Sequence, residues 1–144
     1  MVDDSVRNAV QRGFDKQGFM QVIGARLGDV GDGTCEVEVP FSSQVAQQHG
    51  LFHGGVVASV ADNAAAIAAY TRMEPGHQPL TIEFKISLLA PAQGRTIIAR
   101  ASVLRAGRSI VHAKADVYSK DADGEELCAT ALVTVKATQA VTEL

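Results

Sequence analysis

The sequence predicts an α+β fold, an antiparallel sheet wrapped around one long helix. Three observations carry this: an Ala-rich, Pro-free stretch at 55–70, a series of later runs in which apolar and polar residues alternate, and a length of 144 residues, which suits one domain. Asp4 and Ser5 cap a short helix over 4–14, where Val6, Ala9, Val10 and Phe14 recur at three- and four-residue spacing, before Gly13 and Gly18 loosen the chain. The core then extends over 19–138 of a single 1–144 domain. The apolar stretch from Phe19 to Leu27, the turn-rich segment 28–33, and Cys35, Val37 and Val39 alternating with Glu36 and Glu38 up to Pro40 read as a hairpin. Residues 41–53 have no sustained period and form a loop leading to His53-Gly54-Gly55. The helix over 55–70 follows, about four turns at 3.6 residues each.

Met73 to Pro79 breaks the chain, with Pro75 and Gly76 inside it. Ile82, Phe84, Ile86 and Leu88 then alternate with Thr81, Glu83, Lys85 and Ser87, which predicts a half-buried strand. Three more such runs centre on Ile97/Ala99/Ala101/Val103, Val111/Ala113/Ala115/Val117 and Leu127/Ala129/Ala131/Val133/Val135. Turn signals at Pro91–Gly94, Ala106-Gly107 and 121–124 separate them, so successive strands are expected to be antiparallel neighbours. One sheet face needs cover, and the helix at 55–70 is the element apolar enough to supply it.

With 13 Lys+Arg against 16 Asp+Glu the net charge is -3, so no positive field draws the chain to nucleic acid or an anionic membrane. No apolar run approaches the ~20 residues of a transmembrane helix, and the start MVDDSVRNAV is acidic, unlike a signal peptide. A cytoplasmic protein is expected, without nucleic-acid or membrane partners. Cys35 and Cys128 match neither a metal cluster nor a disulfide framework and read as packing residues. His49, His53, His77 and His112 form no metal-ligand spacing, so no metal is expected.

Stepping ~100° per residue, Val56, Val57, Val60, Ala64, Ile67 and Ala68 share one arc of the helix, which faces the sheet. The opposite arc holds Gly55, Ala58, Ser59, Asp62, Ala65, Ala66 and Ala69, and no Lys, Arg, Glu or Gln. Such an arc is expected to lie against another subunit or a ligand, which places Asp62 in a partly desolvated crevice. There it is either a loop cap or a site carboxylate. Gly54 and Gly55, where backbone N–H groups lack intrahelical acceptors, serve either as a tight entry turn or as donors to a substrate oxygen. Eight residues of helix separate Gly54 from Asp62 by roughly 12 Å. One acyl carbon can meet both only if they come from different chains, which demands a dimer.

The stretch His53-Gly54-Gly55-Val56-Val57-Ala58-Ser59-Val60-Ala61-Asp62-Asn63-Ala64, with the Thr81–Pro91 strand and Arg105-Ala106-Gly107-Arg108, closely resembles the hotdog-fold acyl-CoA thioesterases of the phenylacetate-degradation type. The resemblance implies a hotdog homodimer, often paired into tetramers, that hydrolyses acyl-CoA without metal or other cofactor, CoA being part of the substrate. Carried over, Asp62 is general base or nucleophile, Gly54 N–H polarises the thioester carbonyl, and His53 orders the presenting loop. Gln47 matches a polar position that orients nucleophile or substrate, with Gln48 and His49 as neighbours that compete for that role. Thr81 matches a position that holds the attacking water. Gly55 and Asn63 fall on the substrate-binding stretch. CoA phosphates call for cations, for which Arg105 and Arg108, with Arg100 and Lys114 on adjoining strands, are candidates.

The predicted function is hydrolysis of a small, medium-chain or aromatic acyl-CoA. His53 is a second choice as base, being suited to titrate near neutrality. Ser59 lacks a surrounding nucleophile elbow and reads as a packing residue. Two other classes remain as alternatives: a non-catalytic acyl-CoA sensor or carrier, and an acyl-thioester hydratase or dehydratase.

Overall fold

The computed structural model describes residues 1–139; residues 140–144, the end of the predicted domain, lie outside the described residues. Its elements are α1 (Asp4–Asp15), α2 (Gly18–Val22), β1 (Arg26–Gly31), β2 (Thr34–Pro40), a 3-10 turn (Ser43–Val45), α3 (Gly54–Tyr70), β3 (His77–Leu88), β4 (Thr96–Ala106), β5 (Ile110–Asp121) and β6 (Gly124–Gln139). Six strands form one antiparallel sheet in the order β1-β2-β4-β5-β6-β3. The sheet folds around α3, which packs against β2 through β6. This is the expected hotdog architecture.

Its inside is built from the alternating residues. Ile97, Ala99 and Ala101 of β4, Val111, Ala113, Ala115 and Val117 of β5, and Ala129, Ala131, Val133 and Val135 of β6 are all buried. The predicted sheet-facing arc of α3 is buried too, from Val56 to Ala68. Small residues dominate this contact, so helix and sheet approach closely and the core is thin and dense.

Local departures from expectation each have a physical reason. The stretch 19–27 is not one strand: α2 occupies its first part, Gly24 turns the chain at φ +72°, and β1 starts at Arg26. The hairpin then closes at Asp32-Gly33, with Gly31 opposite Thr34. β3 begins at His77 and includes Pro79, which fits because β3 is an edge strand and one side of its backbone has no ladder partner. β3 and β4 are not neighbours. The 89–95 connection carries the chain across to β2, while β3 pairs with β6.

Two burial expectations also fail. Ala65 and Ala69, placed on the open arc of α3, are fully buried, because the curled sheet wraps more than half of the helix. The residues of α3 left at least partly open are Gly54, Gly55, Ala58, Ser59, Asp62, Asn63, Ala66 and Tyr70. Conversely, Ile82, Phe84 and Leu88 of β3 are 55%, 43% and 59% exposed, so the apolar side of this edge strand is uncovered in the single chain. Leu127 points outward because a bulge at Val117/Tyr118 shifts the phase of β6 and puts Cys128 inside instead.

Candidate active site

The loop after β2 is pinned before it reaches α3. His53 N–H donates to the Val45 carbonyl at 2.8 Å, Phe52 N–H to Ala92 at 2.9 Å, and Phe52 packs edge-to-face on Phe41. His53 is thereby fixed as the N-cap of α3, in extended backbone at φ -61°, ψ 137°. Its Nδ1 accepts the Gly55 N–H at 2.8 Å, while its carbonyl accepts Val56 and Val57 N–H. These bonds leave the Gly54 N–H, at the first helical position, as the donor without a partner among the described residues. A helix start with a free N–H and a positive dipole end suits a developing oxyanion.

The Gly55 N–H thus occupies His53 Nδ1, and the ring caps the helix. Replacing His53 with Ala is expected to cost about 1 kcal/mol of stability, and with Asn much less, because Asn can cap the same N–H. Urea denaturation of the two variants measures the difference.

Two turns on, Asp62 is half-buried and accepts a hydrogen bond from Thr81 Oγ1 at 2.7 Å. Thr81 is on the helix-facing side of β3, so the helix and the edge strand together hold the carboxylate. Burial raises the Asp62 pKa above its ordinary value, and the Thr81 bond partly offsets this. Thr81, expected to hold a water, is therefore bonded to the carboxylate itself.

Other residues fall elsewhere. Gln47 folds its side chain onto its own loop, accepting from the backbone N–H groups of His49 and Leu51, and Gln48 and His49 are exposed. Asn63 Nδ2 donates to Gln17 Oε1 at 2.7 Å, tying α3 to the α1–α2 junction, while Asn63 Oδ1 is buried without a partner. Gln17 carried no sequence signal, because this contact spans 46 residues. Leu88, whose Cδ1 is 3.2 Å from where a Gly54 Cβ would sit, explains why glycine suits that position.

Ser59 Oγ bonds the Gly55 carbonyl at 2.7 Å, a helix-internal role. Burial pushes the Cys35 thiol up to about 12 and raises that of Cys128, so both behave as the expected packing residues. Among the described residues no three His, Cys, Asp or Glu side chains are grouped as metal ligands.

Of the four cations considered for CoA, two are engaged. Arg100 bonds Glu36 at 2.9 Å and Glu125 at 2.6 and 2.8 Å and sits over the Tyr118 ring, and Lys114 pairs with Asp116 at 3.0 Å. Arg100 thus staples β2, β4 and β6 together. Arg105 and Arg108 are exposed at the β4–β5 turn and form no ion pair among the described residues.

Residues 49–126 match the thioesterase superfamily model, more than half of the chain. A protein of Saccharolobus solfataricus is 31% identical over 93 residues, 65% of this chain and 64% of that one. A 1,4-dihydroxy-2-naphthoyl-CoA hydrolase of Listeria monocytogenes is 30% identical over 92 residues, 64% of this chain and 75% of that one. Among solved structures, a thioesterase family protein from Silicibacter pomeroyi superposes with a TM-score of 0.91 at 34% identity, covering 94% of this chain and 99% of that one. The fold is also that of the protein from the phenylacetic acid degradation operon of E. coli, with a TM-score of 0.85 at 17% identity over 99% of this chain and 100% of that one. With the HGG cap, the long helix and the six-stranded wrap in place, the chain belongs to the thioesterase superfamily and is a hotdog-fold hydrolase.

Proposed function

We propose that this protein is an acyl-CoA thioesterase that works as a homodimer or as a tetramer made of two dimers, with Asp62 of one chain and the Gly54 N–H of its partner acting on one thioester. The observation that carries this reading is the half-buried Asp62 carboxylate clasped by Thr81, on the helix whose first N–H stays unpaired. Both groups belong to α3, roughly 12 Å apart along its axis, so a reacting centre about 3 Å from each takes them from two chains. The unpaired edge and exposed apolar residues of β3 lie beside Asp62 and are where a second chain would pair.

In the step proposed, ionised Asp62 takes a proton from a water whose oxygen attacks the thioester carbon. The carbonyl oxygen gains charge against Gly54 N–H. The C–S bond then breaks, the thiolate recovers the proton, and free acid and CoASH leave. Direct attack by Asp62, followed by hydrolysis of the anhydride, balances equally. Arg105 and Arg108 would meet CoA phosphates, and no cofactor is required by either route.

Purified protein incubated with several acyl-CoA thioesters and a thiol reagent should release CoASH. Tight CoA binding without thiol release would favour the sensor reading, and an enoyl or hydrated product would favour the hydratase.

The Thr81 bond gives a pH test. Asp62 must be ionised to act as base, so kcat/KM falls as pH drops through its raised pKa. Thr81→Val removes the interaction that lowers this pKa and should move the acid limb to higher pH. An unmoved limb would separate Thr81 from the titrating group.

A further inference from the structure

Two consecutive residues of α3 are tied to different parts of the fold. Asp62 accepts the Thr81 hydroxyl of β3 at 2.7 Å, and Asn63 Nδ2 donates to Gln17 Oε1 at the α1–α2 junction, also at 2.7 Å. Successive helical residues point ~100° apart, so the two bonds hold α3 from two sides. Of the neighbouring open residues, Ala58 and Ala66 carry no polar side chain, and Ser59 bonds the Gly55 carbonyl of its own helix.

Gln17 is itself firmly mounted. Its N–H donates to the Phe14 carbonyl at 3.0 Å, its carbonyl accepts the Gln21 N–H at 3.2 Å, and Phe14, Met20 and Ile23 on either side are buried. Although Gln17 is the N-cap of α2, its side chain makes no cap bond and reaches α3 instead. At the other end, Asn63 Oδ1 is buried without a partner among the described residues. An Ala at 63 would remove that penalty and favour the helix, so stability alone gives no reason for the amide.

We infer that Gln17 is a positioning residue for the reaction: through Asn63 it fixes the rotation of α3 about its own axis, and with it the place of the Asp62 carboxylate. The inference rests on the hydrolase reading, in which Asp62 reacts. A side-chain tip lies about 5–6 Å from the helix axis, so a roll of ~10° displaces the carboxylate by about 1 Å. Thr81 alone permits such a roll, because one hydroxyl turns with the carboxylate it serves. The core resists it weakly, since Ala61, Ala64, Ala65 and Ala68 present a smooth face with few ridges to lock. A misplacement of about 1 Å at a reacting group lowers rates by up to ~10²-fold.

For the acyl-CoA that is turned over fastest, Gln17→Leu should lower kcat at least about fivefold, with KM within about twofold and the acid limb of the pH profile unmoved, because the carboxylate is displaced rather than retitrated. Gln17→Glu still accepts from Asn63 Nδ2 and should keep kcat on the pH plateau within about twofold of the parent. Asn63→Ala deletes the buried Oδ1 together with the tether, so its kcat should fall as in Gln17→Leu while its Tm is no lower than that of the parent. The double variant Gln17→Leu/Asn63→Ala should lose no more than either single variant, since both remove one bond. A parent-like kcat in Gln17→Leu, an equal loss in Gln17→Leu and Gln17→Glu, or losses that multiply in the double variant would overturn the role of Gln17, while an inactive Asp62→Asn keeps the hydrolase reading in place. Unchanged turnover in Asp62→Asn would overturn both.

Discussion

Asp62→Asn is expected to lower thioester hydrolysis by at least ~10²-fold, the scale of a lost general base, with the protein folded and no less stable at pH 7. The sign of the stability effect follows from the site. Burial raises the Asp62 pKa, so the folded chain holds its proton more tightly than the unfolded chain does. The stability this group contributes is present below the unfolded pKa and is lost as pH rises through the folded one. At neutral pH the ionised carboxylate is thus a burden on the fold, and a neutral amide that still accepts the Thr81 hydroxyl relieves it. Thermal denaturation should show a Tm equal to or above that of the parent, while thiol release collapses. Unchanged turnover would remove Asp62 from the mechanism. A Tm that falls would mean the carboxylate is a structural cap for Thr81 rather than a strained functional group.

Residues whose role is local were legible in the sequence. The period of two over β4 and β5 named their buried sides, and the arc from Val56 to Ala68 named the face of α3 that meets the sheet. The HGG entry to α3 was legible because a cap involves residues one or two apart, as the His53–Gly55 bond shows. Pairings between distant segments were not. That β3 skips β4 to pair with β6 depends on where the 89–95 crossing delivers the chain, which no periodicity reports. Phase shifts from bulges, such as the one that turns Leu127 outward, come from ladder mismatches between strands rather than from either strand alone. The Asp62–Thr81 bond joins two residues singled out separately, and the sequence could not say that one hydroxyl serves the carboxylate directly. Arg100 looked like an available cation because Glu36 and Glu125 are 64 and 25 residues away from it in the chain.

Gly54→Pro should abolish most activity by deleting one hydrogen-bond donor, with a loss of about 10²- to 10³-fold in kcat, the range for one oxyanion donor. The substitution is unusually clean here. Gly54 is the first helical residue, where proline's fixed φ suits the helix and its missing N–H breaks no intrahelical bond. The residue before a proline must be extended, and His53 already is, at φ -61° and ψ 137°. The His53 cap acts on Gly55, so it survives. Gly54→Ala is the matched control: it keeps the N–H and asks Leu88 to yield slightly, its Cδ1 being 3.2 Å from the new Cβ. Activity near the parent level for Ala and lost for Pro isolates the N–H; equal loss for both would instead assign the effect to crowding at Leu88. Co-refolding Gly54→Pro with Asp62→Asn then tests whether the two groups come from different chains. A mixed dimer keeps one site with both native groups if the site spans two chains, and activity should return toward about a quarter of the parent, half of the dimers being mixed with one working site each. If one chain supplied both groups, every site would carry one lesion and the mixture would stay as inactive as its components.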